Sequence, residues 1–236
     1  VELLMVVAII SILVALIVPA ISSMNDNNTV TKAAYDIDGM LDQARAYAMA
    51  NNDYVFVGVE EVNVGIPDAT VPQVAATATA GGRLAVVMLA TKDETSNLFG
   101  SGNVYALQKL ARFDNVHLAD YTGLTATSGP MSARAAIDGT NSFSLGNPAT
   151  TSTQSIGWPL GATTPQYQFS KFIQFNSQGV ISLVGTSITT IPQYIEIALQ
   201  QTHGSGIPAA PSNLAVGDQV AIQEDGITGA LHIYRP

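Results

Sequence analysis

The chain has 236 residues, of which 47% are hydrophobic and only 11% charged, so it has room for one large domain with an appendage and is neither a disordered chain nor a charged coiled coil. Nine Lys and Arg against eighteen Asp and Glu leave a net charge of −9, which repels phosphate backbones, and nucleic acid is not an expected partner. Cysteine is absent, which excludes a disulfide framework and thiolate metal sites.

Much of the apolar excess sits at the N-terminus. Leu3 to Ile21 reads LLMVVAIISILVALIVPAI, apolar on all sides and interrupted only by Ser11 and Pro19. As a helix this run measures roughly 28 Å, a membrane-span length. A secretory signal peptide fits poorly, because no basic stretch precedes the run and no small-x-small cleavage site follows it. The segment therefore reads as retained in a processed chain. Glu2 heads it, and a carboxylate at such an edge calls for a cationic partner. Pro19, without an N–H, is expected to kink or melt the helix, and Gly39 weakens it by about 1 kcal/mol. After the polar break SSMNDNNT at 22–29, Val30, Ala34, Ile37, Leu41, Ala44 and Ala48 recur at steps of four and three. This is an amphipathic stripe whose apolar face is expected to pack on a head domain. Asp36, Asp38, Asp42, Gln43 and Arg45 lie off it, on the wet side.

The segment VELLMVVAIISILVALIVPAI resembles the N-terminus of mature type IV pilins and type II secretion pseudopilins. Glu2 matches the family's glutamate and Pro19 its helix-breaking proline, while the tripeptide that usually precedes Val1 is missing. The resemblance implies a prepilin-peptidase substrate with a methylated N-terminal amine. Such a chain is held in the inner membrane and then polymerised by the pilus assembly machinery, with copies of itself, into an extracellular filament on the bacterial surface. It also implies that Glu2 pairs with the N-terminal amine of a neighbouring subunit, and that Leu3, Leu4, Val7, Ile10, Leu13, Val14 and Ile17 line the helix-bundle core. A carboxylate and an ammonium about 4 Å apart attract by roughly 4 kcal/mol at an effective dielectric of 20, so the pair would select the stagger between subunits. A second resemblance covers residues 36–59, DIDGMLDQARAYAMANNDYVFVGV, and FNSQGVISL at 175–183. Both are similar to segments of H-type minor pseudopilins.

Past Asn51, Asn52 and Asp53, a helix-stop cluster, the apolar period falls to about two. Strands are predicted at Tyr54–Glu60, Arg83–Ala90, Val104–Leu110, Gln168–Asn176, Val180–Val184, Tyr194–Gln200, Gln219–Gln223 and Ala230–Tyr234. NSQG at 176–179 and EDG at 224–226 read as hairpin turns. Thr-, Ala-, Gly- and Pro-rich stretches at 63–82 and 122–165 read as surface insertions. The expected fold is α+β, a long N-terminal helix packed on an antiparallel β-rich head in the pilin manner. Its parts are a hydrophobic segment at 1–24, an amphipathic continuation at 25–52, and a head at 53–236 with a long insertion at about 62–165.

No constellation for catalysis stands out. His117, His203 and His232 are far apart, without metal-ligand spacing. The acidic pairs Glu60–Glu61, Asp93–Glu94 and Glu224–Asp225 read as loop ends, since neighbours on a strand point to opposite faces. Asp218, Glu224 and Asp225 offer oxygens to a calcium ion but lack EF-hand spacing. GSGN at 100–103 and HGSGIP at 203–208 are turns without a following basic helix, and Tyr167, Phe169, Phe172 and Phe175 read as core. No catalytic residue, cofactor or metal is therefore expected. The reading is a structural filament subunit. An H-type minor pseudopilin is the alternative, and a membrane-tethered adhesin or enzyme head a third possibility.

Overall fold

The computed structural model describes residues 2–99, 102–186, 188, 190–209, 214 and 217–236; within the one α-helix found among them, the side chains described before Thr29 are those of residues 6, 7 and 10–13. That helix, α1, runs Glu2–Asn51. From Thr29 onward it has one dry face: Val30, Ala33, Ala34, Ile37, Leu41, Ala44 and Ala48 are buried, at the three- and four-residue steps that place side chains on one stripe. It stops where Asn52 turns to a left-handed backbone (φ 54°), a conformation that Asn tolerates better than most residues. The freed Asp53 N–H donates to Ala48 O at 3.0 Å.

Beyond it the chain is strand after strand. β1 (Val55–Asn63), β2 (Gly82–Thr91), β3 (Val104–Ala106), β4 (Ala111–Asp114), β9 (Lys171–Phe175) and β10 (Ile181–Leu183) form one sheet in the order β10-β9-β1-β2-β3, with β4 also paired to β2. β5 (Val116–Ala119), β6 (Ser142–Ser144), β11 (Tyr194–Gln201), β12 (Gln219–Asp225) and β13 (Leu231–Tyr234) form a second, ordered β13-β12-β11-β5, with β6 also on β11. β7 (Ile156–Trp158) and β8 (Tyr167–Phe169) make a separate antiparallel pair. Among the described residues, only β6 runs parallel to its neighbour.

The buried stripe of α1 lies in one apolar cluster with side chains from both sheets: Val55, Val57 and Val59 of β1, Leu84, Val86 and Met88 of β2, Ile195, Ile197 and Leu199 of β11, and Val220 and Ile222 of β12. Period-two alternation sends the intervening residues outward. There Phe56, Val87, Leu89 and Phe172 meet Tyr167 and Phe169 of the β7–β8 pair, while Ala198 and Ala221 meet Tyr121 and Met131.

This architecture corrects the α+β expectation. Among the described residues the fold is β-rich, built mostly of antiparallel strands with one helix, and the part of that helix that joins the core begins at Thr29. The described apolar side chains of the first half lie outside the core. The physical reason is in the pattern. A run that is apolar all round has no distinguished face with which to meet a sheet, so the strands supply the core.

One predicted strand is broken in two and another is cut short. The run 168–176 divides at Ser170, whose carbonyl accepts Ser152 N–H at 2.6 Å, whereas the run Val104–Leu110 is strand only to Ala106, and β4 begins past its end at Ala111. The 122–165 stretch is more than a surface insertion: it supplies β6 and buries Met131, Arg134, Ile137, Phe143 and Leu145. Arg134 is what holds it in. Its side chain is 1% exposed and that of Glu196, its partner on β11, is 0% exposed. Arg134 Nη2 donates to Glu196 Oε1 at 2.8 Å, and Nε donates to the other carboxylate oxygen. Nη1 and Nη2 also reach the carbonyls of Leu124 (2.8 Å) and Tyr121 (3.2 Å). Gln223 Nε2 donates to Glu196 Oε2 at 2.9 Å and to Ala135 O at 2.7 Å.

A buried pair of this kind is costly to break from one side only. Arg134→Met is expected to lose about 3–5 kcal/mol in chemical denaturation, whereas the double replacement Arg134→Met with Glu196→Leu loses much less, because no orphaned charge remains.

Candidate functional site

The residues singled out by the sequence fall into three groups. The side chains of Glu2, Leu3, Leu4, Val14, Ile17 and Pro19 lie outside the described ones. Val7, Ile10 and Leu13 are described and are 51%, 54% and 52% exposed, beside Val6 at 55% and Ile12 at 63%. At about 100° per residue these five spread over more than half of the helix circumference. The hydroxyl between them is satisfied within the helix, since Ser11 Oγ donates to Val7 O at 2.8 Å, which lets a polar residue sit in apolar surroundings. Among the described residues, no helix is long and apolar enough to cross a membrane. The third group, Val30, Ala34, Ile37, Leu41, Ala44 and Ala48, is buried against the two sheets.

Arg45, read from the sequence as part of the wet face, is instead a clamp. Its Nε donates to Gly179 O at 3.2 Å, Nη1 to Gly229 O at 3.3 Å, and Nη2 to Thr228 O. One side chain of α1 thus ties the β9–β10 turn and the β12–β13 turn to the helix. Both glycines have positive φ, 76° and 62°, and a Cβ at Gly229 would lie 2.3 Å from Arg45 Nε. Near the helix end, the hydroxyls of Tyr47 and Tyr105 lie 3.2 Å apart.

A second polar constellation borders a cleft of about 370 Å³ lined by Glu60, Glu61, Thr77, His117, Lys171 and Ile207, among others. Glu60 and Glu61 are not loop ends: they lie in β1, the first partly and the second fully buried, and alternate faces. Glu61 Oε1 accepts Gly82 N–H at 2.8 Å, its Oε2 accepts Leu118 N–H at 3.0 Å, and His117 Nδ1 lies 2.9 Å from Oε2. Lys171 Nζ donates to Leu145 O at 2.6 Å, and burial draws its pKa down. Ser170 Oγ donates to Glu60 Oε2 at 3.1 Å. Burial pushes Glu60 up from 4.5 to about 7, against the hydrogen bonds from Ser170 and the nearby Lys171 charge. These groups are largely engaged with one another and with the backbone. They stitch the ends of β1, β2, β5 and β9 together, and among the described residues no hydroxyl is hydrogen-bonded to His117.

The remaining candidates do not converge. Glu224 is buried and Asp225 instead caps the following turn, accepting Ile227 and Thr228 N–H at 3.0 and 2.7 Å. Among the described residues, no three His, Asp or Glu side chains are grouped to hold a metal ion. Sequence reading missed the Arg45 clamp and the Glu61–His117 contact. A trace of the first was legible, since a cation off the stripe accompanied two hairpin turns rich in Gly. The second joins residues 56 apart in sequence and left no local signal.

No known family profile, characterised protein or solved structure matches the chain.

The Glu60 environment has a pH signature. Its folded pKa lies above its ordinary value, so its neutral form contributes stability that is complete below about 4.5 and is lost as pH rises through about 7. The loss is on the order of 3 kcal/mol. Denaturant titrations across that window are expected to show a shallower decline in Glu60→Gln than in the parent.

Proposed function

We propose that this chain is a structural subunit of an extracellular filament of the type IV pilus kind, polymerising through the first half of α1. The observation that carries the reading is the contrast within one helix. From Thr29 onward its apolar stripe is buried in the head, whereas Val6, Val7, Ile10, Ile12 and Leu13 are each more than half exposed. Large contiguous apolar surface mostly marks a partner or a membrane, and one helix can use both in turn, the bilayer before assembly and a bundle of identical helices afterwards. The resemblance of residues 1–21 to pilin N-termini supports the same order of events.

Within this reading Glu2 pairs with the amine of a neighbouring subunit and sets the stagger, and Pro19 loosens the helix between bundle and head. Leu3, Leu4, Val7, Ile10, Leu13, Val14 and Ile17 make the bundle core. The neutral, Thr- and Ser-rich surface of the head suits tiling against copies of itself, because such groups exchange hydrogen bonds with water or with each other at little electrostatic cost.

Ile10→Asp tests the proposal. The site lies outside the head core, so the variant is expected to keep the parent's thermal unfolding within about 0.5 kcal/mol. The chain sheared from cells as high-molecular-weight polymer should fall at least severalfold. Undiminished polymer from Ile10→Asp cells would overturn the reading. A trace copy number in sheared filaments would reassign the chain to a minor subunit of the H-type.

A further inference from the structure

We propose that Glu224 is a proton-operated latch between α1 and the sheet beneath it: with its proton the helix stays docked, and without it the docked half of the helix loosens. β12 alternates Val220, Ile222 and Glu224 on one face. The first two belong to the cluster that contains the helix stripe, so the third continues that row under α1. Glu224 is 1% exposed, and neither carboxylate oxygen has a hydrogen-bond partner. Its cross-strand neighbours are apolar, Ile195 on β11 and Leu231 on β13.

The charged groups that act on Glu224 come from the helix above: Arg45, Asp42 and Asp38. Two of the three repel a carboxylate. Arg45 attracts it, but its guanidinium is already committed to the carbonyls of Gly179, Thr228 and Gly229. Glu196 and His232 belong to the opposite strand faces, the first with Arg134 and the second paired across from Gln223. An ionised carboxylate here would be buried without a donor, which is heavily penalised. Burial, with Asp42 and Asp38 adding to it and Arg45 opposing it, accordingly holds Glu224 well up, from 4.5 to about 8.

The sign follows. Because the folded pKa is raised, docking is fully supported below about 4.5 and weakens as pH rises through about 8. Two responses relieve the ionised state: water enters the seam, or Arg45 leaves the two turns and swings to the carboxylate. Either one gives up contacts that hold α1 to the head. The latch concerns helix and head alone and does not depend on the filament reading.

Hydrogen exchange on the full chain, corrected for the intrinsic pH dependence of amide exchange, tests it. In a Glu60→Gln background, which removes the other carboxylate that titrates in this window, amides of residues 30–48 are expected between about pH 6 and about pH 9 to lose roughly tenfold or more of their protection while those of β1 and β2 keep theirs. Glu224→Gln, neutral at both values, is expected to hold protection constant, and Glu224→Met serves as a second neutral replacement if the amide disturbs folding. Arg45→Met should deepen the loss, since it removes the cation that can answer the ionised carboxylate. The same loss in parent and both neutral variants, or no loss in the parent, would overturn the latch.

Discussion

Everything in the head depends on one act of burial, the enclosure of the α1 stripe between two largely antiparallel sheets. Val30, Ala33, Ala34, Ile37, Leu41, Ala44 and Ala48 belong to a cluster that takes side chains from β1 and β2 on one sheet and from β11 and β12 on the other. Four of the seven are alanines, which bring the helix backbone close to the strands and lose no side-chain entropy on burial. Fully burying an aliphatic side chain contributes about 1.5–3 kcal/mol. The helix is therefore the common partner through which two sheets share one core. The smaller clusters lie on the outer faces of that frame, under the β7–β8 pair and under residues 121–137.

The polar groups inside this frame differ in how they are satisfied. Arg134 and Glu196 are buried together, with further hydrogen bonds to carbonyls and to Gln223, so the charges are matched and the loop around Arg134 is drawn into the structure. Glu61 is surrounded by two backbone N–H groups and His117. Glu224 has neither a cation of its own nor a donor. The same side chain, placed at three points of one fold, is thus a bridge, a junction and a strained acid. What decides the role is the supply of donors around it.

Local periodicity made much of the strand inventory legible, because a half-buried strand and a half-buried helix write different periods into the sequence. The hairpin turns were visible for a similar reason, as short polar and glycine-bearing gaps between apolar runs, NSQG at 176–179 and EDG at 224–226, although β12 runs on to Asp225 and the second turn falls just after it. Periodicity carried no information about fold class in the first half of α1, where no face differs from another, and the α+β expectation failed there. It also missed β6, whose three residues, Ser142, Phe143 and Ser144, are too few to show a pattern and pair with β11 some fifty positions away. The clamp and the buried acid were beyond reach for a different reason. Arg45 is polar and lies off the stripe, so its amphipathic position said solvent, and Glu224 at the end of a strand looked like the start of a turn. Both assignments fail because two hairpins fold over the helix from a distance.

The clamp has a mechanical meaning. Arg45 lies near the C-terminal end of the helix and holds two hairpin turns that belong to different sheets. A pull applied along the helix from its exposed end is therefore resisted first by the whole length of the stripe sliding over two sheets. It also strains three carbonyl contacts that share a single guanidinium. Shear of this sort loads many contacts at once, whereas peeling would load them in turn. The turn glycines at 179 and 229 leave space for the pin, and any side chain there would push it out. The strongest direction of the helix–head joint is thus its own axis.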